Sequence, residues 1–182
     1  PLADGGEGTF KILVENSNGR VKKTTVSDPL YQSINASYGI SNDSSTAFIE
    51  MAAASGLQLL KETERNPLYT SSIGTGQLML DAIDEGVANI ILGIGGSATN
   101  DAGIGMAHAL GFRFLNKNKE QVKPIGKSLS EIDSIDDTNV DIRLSEVNIT
   151  VLCDVDNPLY GPQGAAHVYG PQKGASKKTI QE

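Results

Sequence analysis

A chain of 182 residues with 22 acidic against 15 basic side chains, net charge −7, offers no electrostatic footprint for nucleic acid or an anionic membrane surface. Its single cysteine, Cys153, excludes an internal disulfide framework and suits a reducing compartment such as the cytoplasm. No apolar run approaches the ~20 residues needed to span a bilayer, and no signal-peptide pattern opens the chain.

The length suffices for one sizeable α/β domain over residues 1–182. The chain opens at Pro1-Leu2-Ala3-Asp4 without an initiator methionine and closes on what looks like the start of a helix, so it reads as a piece of a longer protein. Asp4-Gly5-Gly6-Glu7-Gly8-Thr9 is a glycine turn, and the apolar segment 10–14 behind it reads as a helix stopped by Asn16-Ser17-Asn18-Gly19. Residues 21–26 read as a strand. Ile34, Ala36, Tyr38 and Ile40 alternate with Asn35, Ser37 and Gly39, the period of a half-buried strand, and 46–50 returns as its hairpin partner. Residues 51–60 are ambiguous between helix and loop. Beyond the break at Arg65-Asn66-Pro67, an amphipathic helix is predicted from about Gln77 to Glu85. Leu78, Met79, Ala82 and Ile83 share one face, Gly86 ends the helix, and Asp81, Asp84 and Glu85 read as its solvated face.

A buried strand over 88–93, a turn, and a helix over 101–110 come next. Gly103 and Gly105 each cost about 1 kcal/mol relative to alanine inside a helix, so their presence points to close approach of a sheet or ligand. Residues 116–146 are polar and form a long excursion with a short helix near Leu129-Ser130-Glu131-Ile132, away from the expected function. The β-prone segment 147–153 delivers Asp154 and its neighbours at its C-terminal end, where open α/β sheets keep ligand residues. Cys153, at the end of that apolar strand, is expected to be an inert buried thiol. A third turn, 169–176, carries the lone Lys173.

The run Gly93-Ile94-Gly95-Gly96-Ser97-Ala98-Thr99-Asn100-Asp101 is the most informative stretch. Between a strand and a helix, it combines backbone that can approach a ligand closely with hydroxyl, amide and carboxylate groups near a helix N-terminus that favours anions. It contains no lysine and is therefore no Walker A loop. A dinucleotide fingerprint can be laid on Gly93, Gly95 and Ala98, but the acidic residue it needs after the next strand is missing: 112–115 runs into Asn116, with Glu120 the closest acid. Helix capping by Asn100 or Asp101 accounts for one polar residue of the run.

Five blocks, taken together, are more specific than any one turn: 4–9 (DGGEGT), 46–57 (TAFIEMAAASGL), 93–103 (GIGGSATNDAG), 153–159 (CDVDNPL) and 170–176 (GPQKGAS). In order and spacing they resemble bacterial glycerate kinases of the first class. The resemblance implies phosphoryl transfer from ATP, with Mg2+, to a hydroxyl of D-glycerate, usually giving 2-phosphoglycerate. It implies two different α/β domains, one flavodoxin-like and built from both chain ends. This chain is then mostly the other domain, a mixed sheet with flanking helices, and its partners are the remaining parts of the parent chain. Members begin with a strand and an Asp-Ser-Phe-Lys stretch and continue past the block at 170–176; neither part is in this sequence.

Phosphoryl transfer asks for positioning and charge neutralisation. Asp4, Glu7, Asp101 and Asp154 are the carboxylates in glycine turns: Asp101, Asp4 and Asp154 are expected to serve catalysis, and Glu7 with Asp4 to meet the metal, against the alternative that each only caps a helix or forms a turn. Ser97, Thr99 and Asn100, with the N–H groups of Gly95 and Gly96, would hold the glycerate carboxylate or a phosphate. Lys173 would neutralise a phosphate, its alternative being an ordinary exposed lysine. His108 reads as a packed or surface histidine and His167 as a loop residue, and Gln77 stands where members often carry Glu. Two other classes stay open: a domain that binds a small acid or phosphate without turning it over, and an NAD-binding oxidoreductase. A homo-oligomer is also left open.

Overall fold

The period-two pattern of residues 34–40 forms a central strand in the computed structural model, which describes residues 8–181. Strand β1 (Arg20–Ser27) pairs antiparallel with β2 (Ser33–Ile40) over its full length, and the end of β2 pairs antiparallel with β3 (Thr46–Glu50). From there the sheet turns parallel. β3 lies beside β4 (Asn89–Gly93); β5 (Arg113–Leu115) and β6 (Ser134–Asp136) leave it to form their own ribbon; β7 (Asn148–Leu152) then pairs parallel with β4. The order is β1-β2-β3-β4-β7, a mixed five-stranded sheet with flanking helices.

Alternation along β3 and β4 sorts the core into two layers. Phe48 and Ile91 face α1 (Thr9–Asn16), packing with Phe10, Leu13 and Val14. Ala47, Ile49, Ile90 and Leu92 face the opposite layer, where Leu78, Met79, Ala82 and Ile83 of α3 (Ile73–Asp84) supply the predicted apolar face. The ambiguous stretch 51–60 resolves into a short helix, α2 (Ala52–Ser55), and a 3-10 turn over Leu57–Leu59. On β2, Gly39 leaves room for Val14: a Cβ there would stand 2.1 Å from Val14 Cγ2.

Several expectations are corrected. α3 begins at Ile73, four residues before the predicted start, with Ser72 as its cap residue. The helix expected over 101–110 is the shorter α4 (Ile104–Ala109), so Asp101 precedes it. Gly105 does mark a close approach, but to a helix end: a Cβ would stand 2.3 Å from Ser71 Oγ and 2.7 Å from the backbone nitrogens of Ser72 and Ile73. Asp81 is not on a solvated face, because it accepts hydrogen bonds from Tyr38 Oη (2.7 Å) and Thr24 Oγ1 (3.1 Å) and pairs with Lys22 (2.9 Å). Asp84 and Glu85 do lie on the exposed face as expected, where Glu85 pairs with Arg20 and Lys22 and Asp84 with Arg143. These acids tie α3 to its neighbours.

Among the described residues β7 is an edge strand of the sheet, with Ile149 and Val151 exposed. Cys153 is therefore exposed rather than buried, its Sγ 3.3 Å from the carbonyl of Val155. Beyond it lie α5 (Ala165–Tyr169), a 3-10 turn at Pro171–Lys173, and α6 (Lys177–Gln181). Among the described residues no helix is long and apolar enough to cross a membrane.

Candidate active site

Parallel register brings Glu50, Gly93 and Leu152 side by side at the C-terminal ends of β3, β4 and β7. The turn from Gly93 to Gly103 leaves this edge and is strapped down along its length. Gly96 accepts from the Leu57 N–H (2.9 Å), the Ala98 N–H donates to the carbonyl of Ser55 (2.8 Å), and Thr70 Oγ1 donates to that of Ala98 (3.0 Å). Gly96 has φ of +70°, a conformation that suits glycine, and is itself exposed. Gly95 and Ser97 are half-buried, Thr99 is buried and Asn100 is exposed.

Lys173 is not an ordinary exposed lysine. Its Nζ donates to Ser97 Oγ at 2.9 Å and to the Thr99 carbonyl at 2.6 Å, so the third turn closes onto the second. Burial lowers its pKa to about 8, and the charge of Asp101 opposes the shift. Gly174, at φ +89°, lets the chain pass Arg65: a Cβ there would stand 2.1 Å from the Arg65 carbonyl oxygen. Sequence reasoning gave Arg65 no role, yet its Nε is buried and makes no hydrogen bond among the described residues.

Asp101 is 2% exposed. Its Oδ2 accepts from the Ser72 N–H (2.7 Å), Ser72 Oγ (2.8 Å) and the Gly105 N–H (3.3 Å), and its Oδ1 accepts from the Gly103 N–H (3.2 Å). One carboxylate thus serves the N-termini of both α3 and α4, where unpaired N–H groups gather. This is the capping alternative in a doubled form. Tyr31 stands nearby, its hydroxyl donating to the Pro124 carbonyl and its pKa raised by burial.

Asp4 and Glu7 lie outside the described residues. The described chain starts beside them: Gly8 caps α1 with φ of +91°, and the Phe10 N–H in the first turn of α1 donates to Glu50 Oε1 at 3.0 Å. The sequence marks Glu50 only as the end of a hairpin strand. Its signal was an acid closing an apolar strand, and it proves 5% exposed. Asp154 is exposed two residues past β7, whose Leu152 carbonyl accepts from the Ile94 N–H. Among the described residues no three His, Cys, Asp or Glu side chains cluster as a metal site. Gln77 Oε1 accepts from the Ser27 N–H, His108 Nδ1 meets the Phe112 carbonyl, and His167 is exposed. Because β5 leaves the main sheet after α4, the glycine turn does not open a β-α-β unit of consecutive parallel strands.

A cavity of about 670 Å³ opens beside Asn100, between Gly126–Glu131 and the C-terminal turns around Gly170 and Ala175. The polar excursion, expected to lie away from function, supplies one of its walls.

A sequence profile of the glycerate kinase family matches residues 1–182. The chain belongs to the glycerate kinase family. It is 55% identical over 182 residues to a glycerate kinase of Halalkalibacterium halodurans and 50% identical over 182 residues to a glycerate 2-kinase of Escherichia coli, in each case covering 100% of this chain and 48% of the relative. A crystal structure from Salmonella typhimurium LT2 that carries the glycerate kinase 2 name superposes with a TM-score of 0.96 at 51% identity, over 100% of this chain and 49% of that one. The chain spans about half the length of the relatives it matches.

Proposed function

We propose that the protein of which this chain forms part transfers the γ-phosphoryl group of ATP to a hydroxyl of D-glycerate, with 2-phosphoglycerate as product. The observation that carries the reading is the pair of hydrogen bonds from Lys173 to Ser97 and Thr99, which joins two family blocks far apart in sequence. The 46–57 and 153–159 blocks support it too, since Glu50 accepts from the Phe10 N–H in the first turn of α1 and the 153–159 block directly follows Leu152, whose carbonyl accepts from the Ile94 N–H.

In this reading the ammonium of Lys173 neutralises phosphate as a point charge. Ser97, whose oxygen accepts from Lys173, keeps its own O–H free to donate. With the Asn100 amide and the N–H groups of Gly95 and Gly96, it grips the carboxylate of the acid or a phosphate. Thr99 contributes its carbonyl to Lys173. Asp101 positions the turn by fastening both helix ends, and Asp154 or Asp4 takes the proton of the attacking hydroxyl. Bound Mg2+ supplies charge neutralisation at the phosphates; because it keeps several waters, one or two carboxylates suffice, and Glu7 and Asp4 are the residues assigned to it.

The test mixes the longer protein, and separately this chain, with ATP, Mg2+ and D-glycerate, following ADP release and the phosphorus resonance of the product. Glycerate-dependent ADP formation supports the reading, and its absence from the longer protein overturns it. A second reading, that this chain alone binds without turnover, is favoured by the solvent exposure of Asp154. Turnover by the longer protein with none from the 182-residue chain selects that reading for the isolated chain.

A further inference from the structure

The cavity beside Asn100 is poorly matched to glycerate. At about 670 Å³ it falls within the roughly 300–1,000 Å³ of sites that take drug-sized ligands, and a three-carbon acid would leave most of it empty. Leu68, Leu129 and Ile180 supply apolar wall, on which Lys127 and Glu131 place one cation and one acid. Ser130 and Glu131 add a few hydrogen-bonding groups to the apolar surface. At the rim stand Leu159 and Tyr160, 77% and 85% exposed, two large side chains free to close on a flat ring. An apolar slot with a few polar groups and an aromatic at its mouth is suited to a nucleobase, because every base offers a π-face and a hydrogen-bonding edge.

Position adds direction. Asn100 lines the cavity and directly follows Thr99, whose carbonyl holds Lys173; Gly170 and Ala175, on either side of Lys173 in the chain, line it too. Lys173 does not itself line the slot, but a ligand leaving it past Asn100 runs towards that cation, and Lys127 stands on the wall. That polarity, apolar at one end and cationic at the other, is that of a nucleoside with a phosphate chain.

We propose that this cavity seats the adenosine of the nucleotide, with its phosphates running past Asn100 towards Lys173 and Ser97. The proposal rests on the kinase reading above and adds to it that this half of the protein holds the nucleotide. The acid is left to the strand-end side of the same turn.

The experiment is photolabelling of the 182-residue chain with 8-azido-ADP, followed by digestion and peptide mapping. The label is expected on peptides containing residues 126–131 or 159–166, with free adenosine competing and D-glycerate not. Tyr160→Ala, at an exposed site that carries no core packing, is expected to weaken ADP binding at least about tenfold, the scale of losing one base–aromatic stack. Ala166→Phe, checked for native circular dichroism, should do the same by filling the slot. Label elsewhere, no label, competition by D-glycerate, or unchanged ADP affinity in Tyr160→Ala overturns the proposal. The two readings fail separately. Labelling as expected in a protein that forms no ADP from ATP and D-glycerate supports the nucleoside site and overturns the kinase reading. ADP formation with label elsewhere does the reverse.

Discussion

Lys173 Nζ lies 2.6 Å from the carbonyl oxygen of Thr99, across 74 positions of sequence. That contact makes the second and third glycine turns one structure, and it leaves a partly desolvated cation at the most polar point of the site.

Removing the cation should cost activity. Lys173→Ala is expected to lower kcat/KM of the longer protein at least about a hundredfold, the scale of a positioned charge on a transferring phosphoryl group. The pH profile gives a sharper test. Burial holds the pKa near 8 against the ordinary 10.5, so the ammonium is present below about pH 8 and lost above it. kcat/KM should fall through about pH 8, and Lys173→Arg should move that limb upward because arginine stays charged. Stability runs the other way: the unfolded chain binds more protons between about 8 and 10.5, so stability rises with pH there. A wild-type activity profile flat beyond about pH 10 would remove Lys173 from the mechanism.

Asp101→Asn tests the fastening of the turn. The amide keeps one acceptor oxygen and, in either orientation, sets its NH2 group against a backbone N–H that requires an acceptor. Urea unfolding should show a loss of about 2–3 kcal/mol, typical of hydrogen bonds to a buried charge. Turnover of the longer protein should drop at least about a hundredfold. Wild-type stability and turnover together would leave Asp101 without a role.

Gly105→Ala and Gly103→Ala form a matched pair. At Gly105 the new Cβ meets Ser71 Oγ at 2.3 Å and two backbone nitrogens at 2.7 Å, so overpacking of about 3 kcal/mol is expected. At Gly103 the nearest atom is Met106 Cε at 3.7 Å, and only the left-handed backbone is penalised, by about 1 kcal/mol. Urea midpoints in the reverse order would mean that α4 does not press on the start of α3.

Tyr38→Phe probes the acid side. Burial raises the pKa of Asp81, but hydrogen bonds from Tyr38 and Lys22 outweigh it and hold the carboxyl below its ordinary value. A lowered native pKa contributes stability above about pH 4 that is lost as pH falls through the native value. The variant should be about 1 kcal/mol less stable at about pH 7, with the gap narrowing at about pH 3. A gap that widens in acid would contradict the assigned donor.

Where periodicity decides structure, the sequence was readable. The alternation of Ile34, Ala36, Tyr38 and Ile40 and the apolar stripe of Leu78, Met79, Ala82 and Ile83 were both legible, because burial of one face leaves a repeat in the chain. Strand order leaves no such mark. Cys153 looked buried because 147–153 is apolar, whereas its exposure follows from β7 being an edge. Asp101 shows the same limit at the site. A carboxylate that caps two helices and one that meets a substrate have the same letter in the same kind of turn, and only the positions of Ser72 and Gly105 tell them apart. Lys173 could be singled out between its glycines, but its partners lie 76 and 74 residues upstream. Glu50 was overlooked because its partner, the Phe10 N–H, sits 40 positions away.

The vacant Cβ position at Gly39, filled by a methyl group of Val14, has a reach beyond packing. It lets α1 nestle against the sheet, and the first turn of α1 holds Glu50 through the Phe10 N–H. A bulkier residue at position 39 would push Val14 away and lift α1 from the sheet, loosening the hold of Phe10 on Glu50.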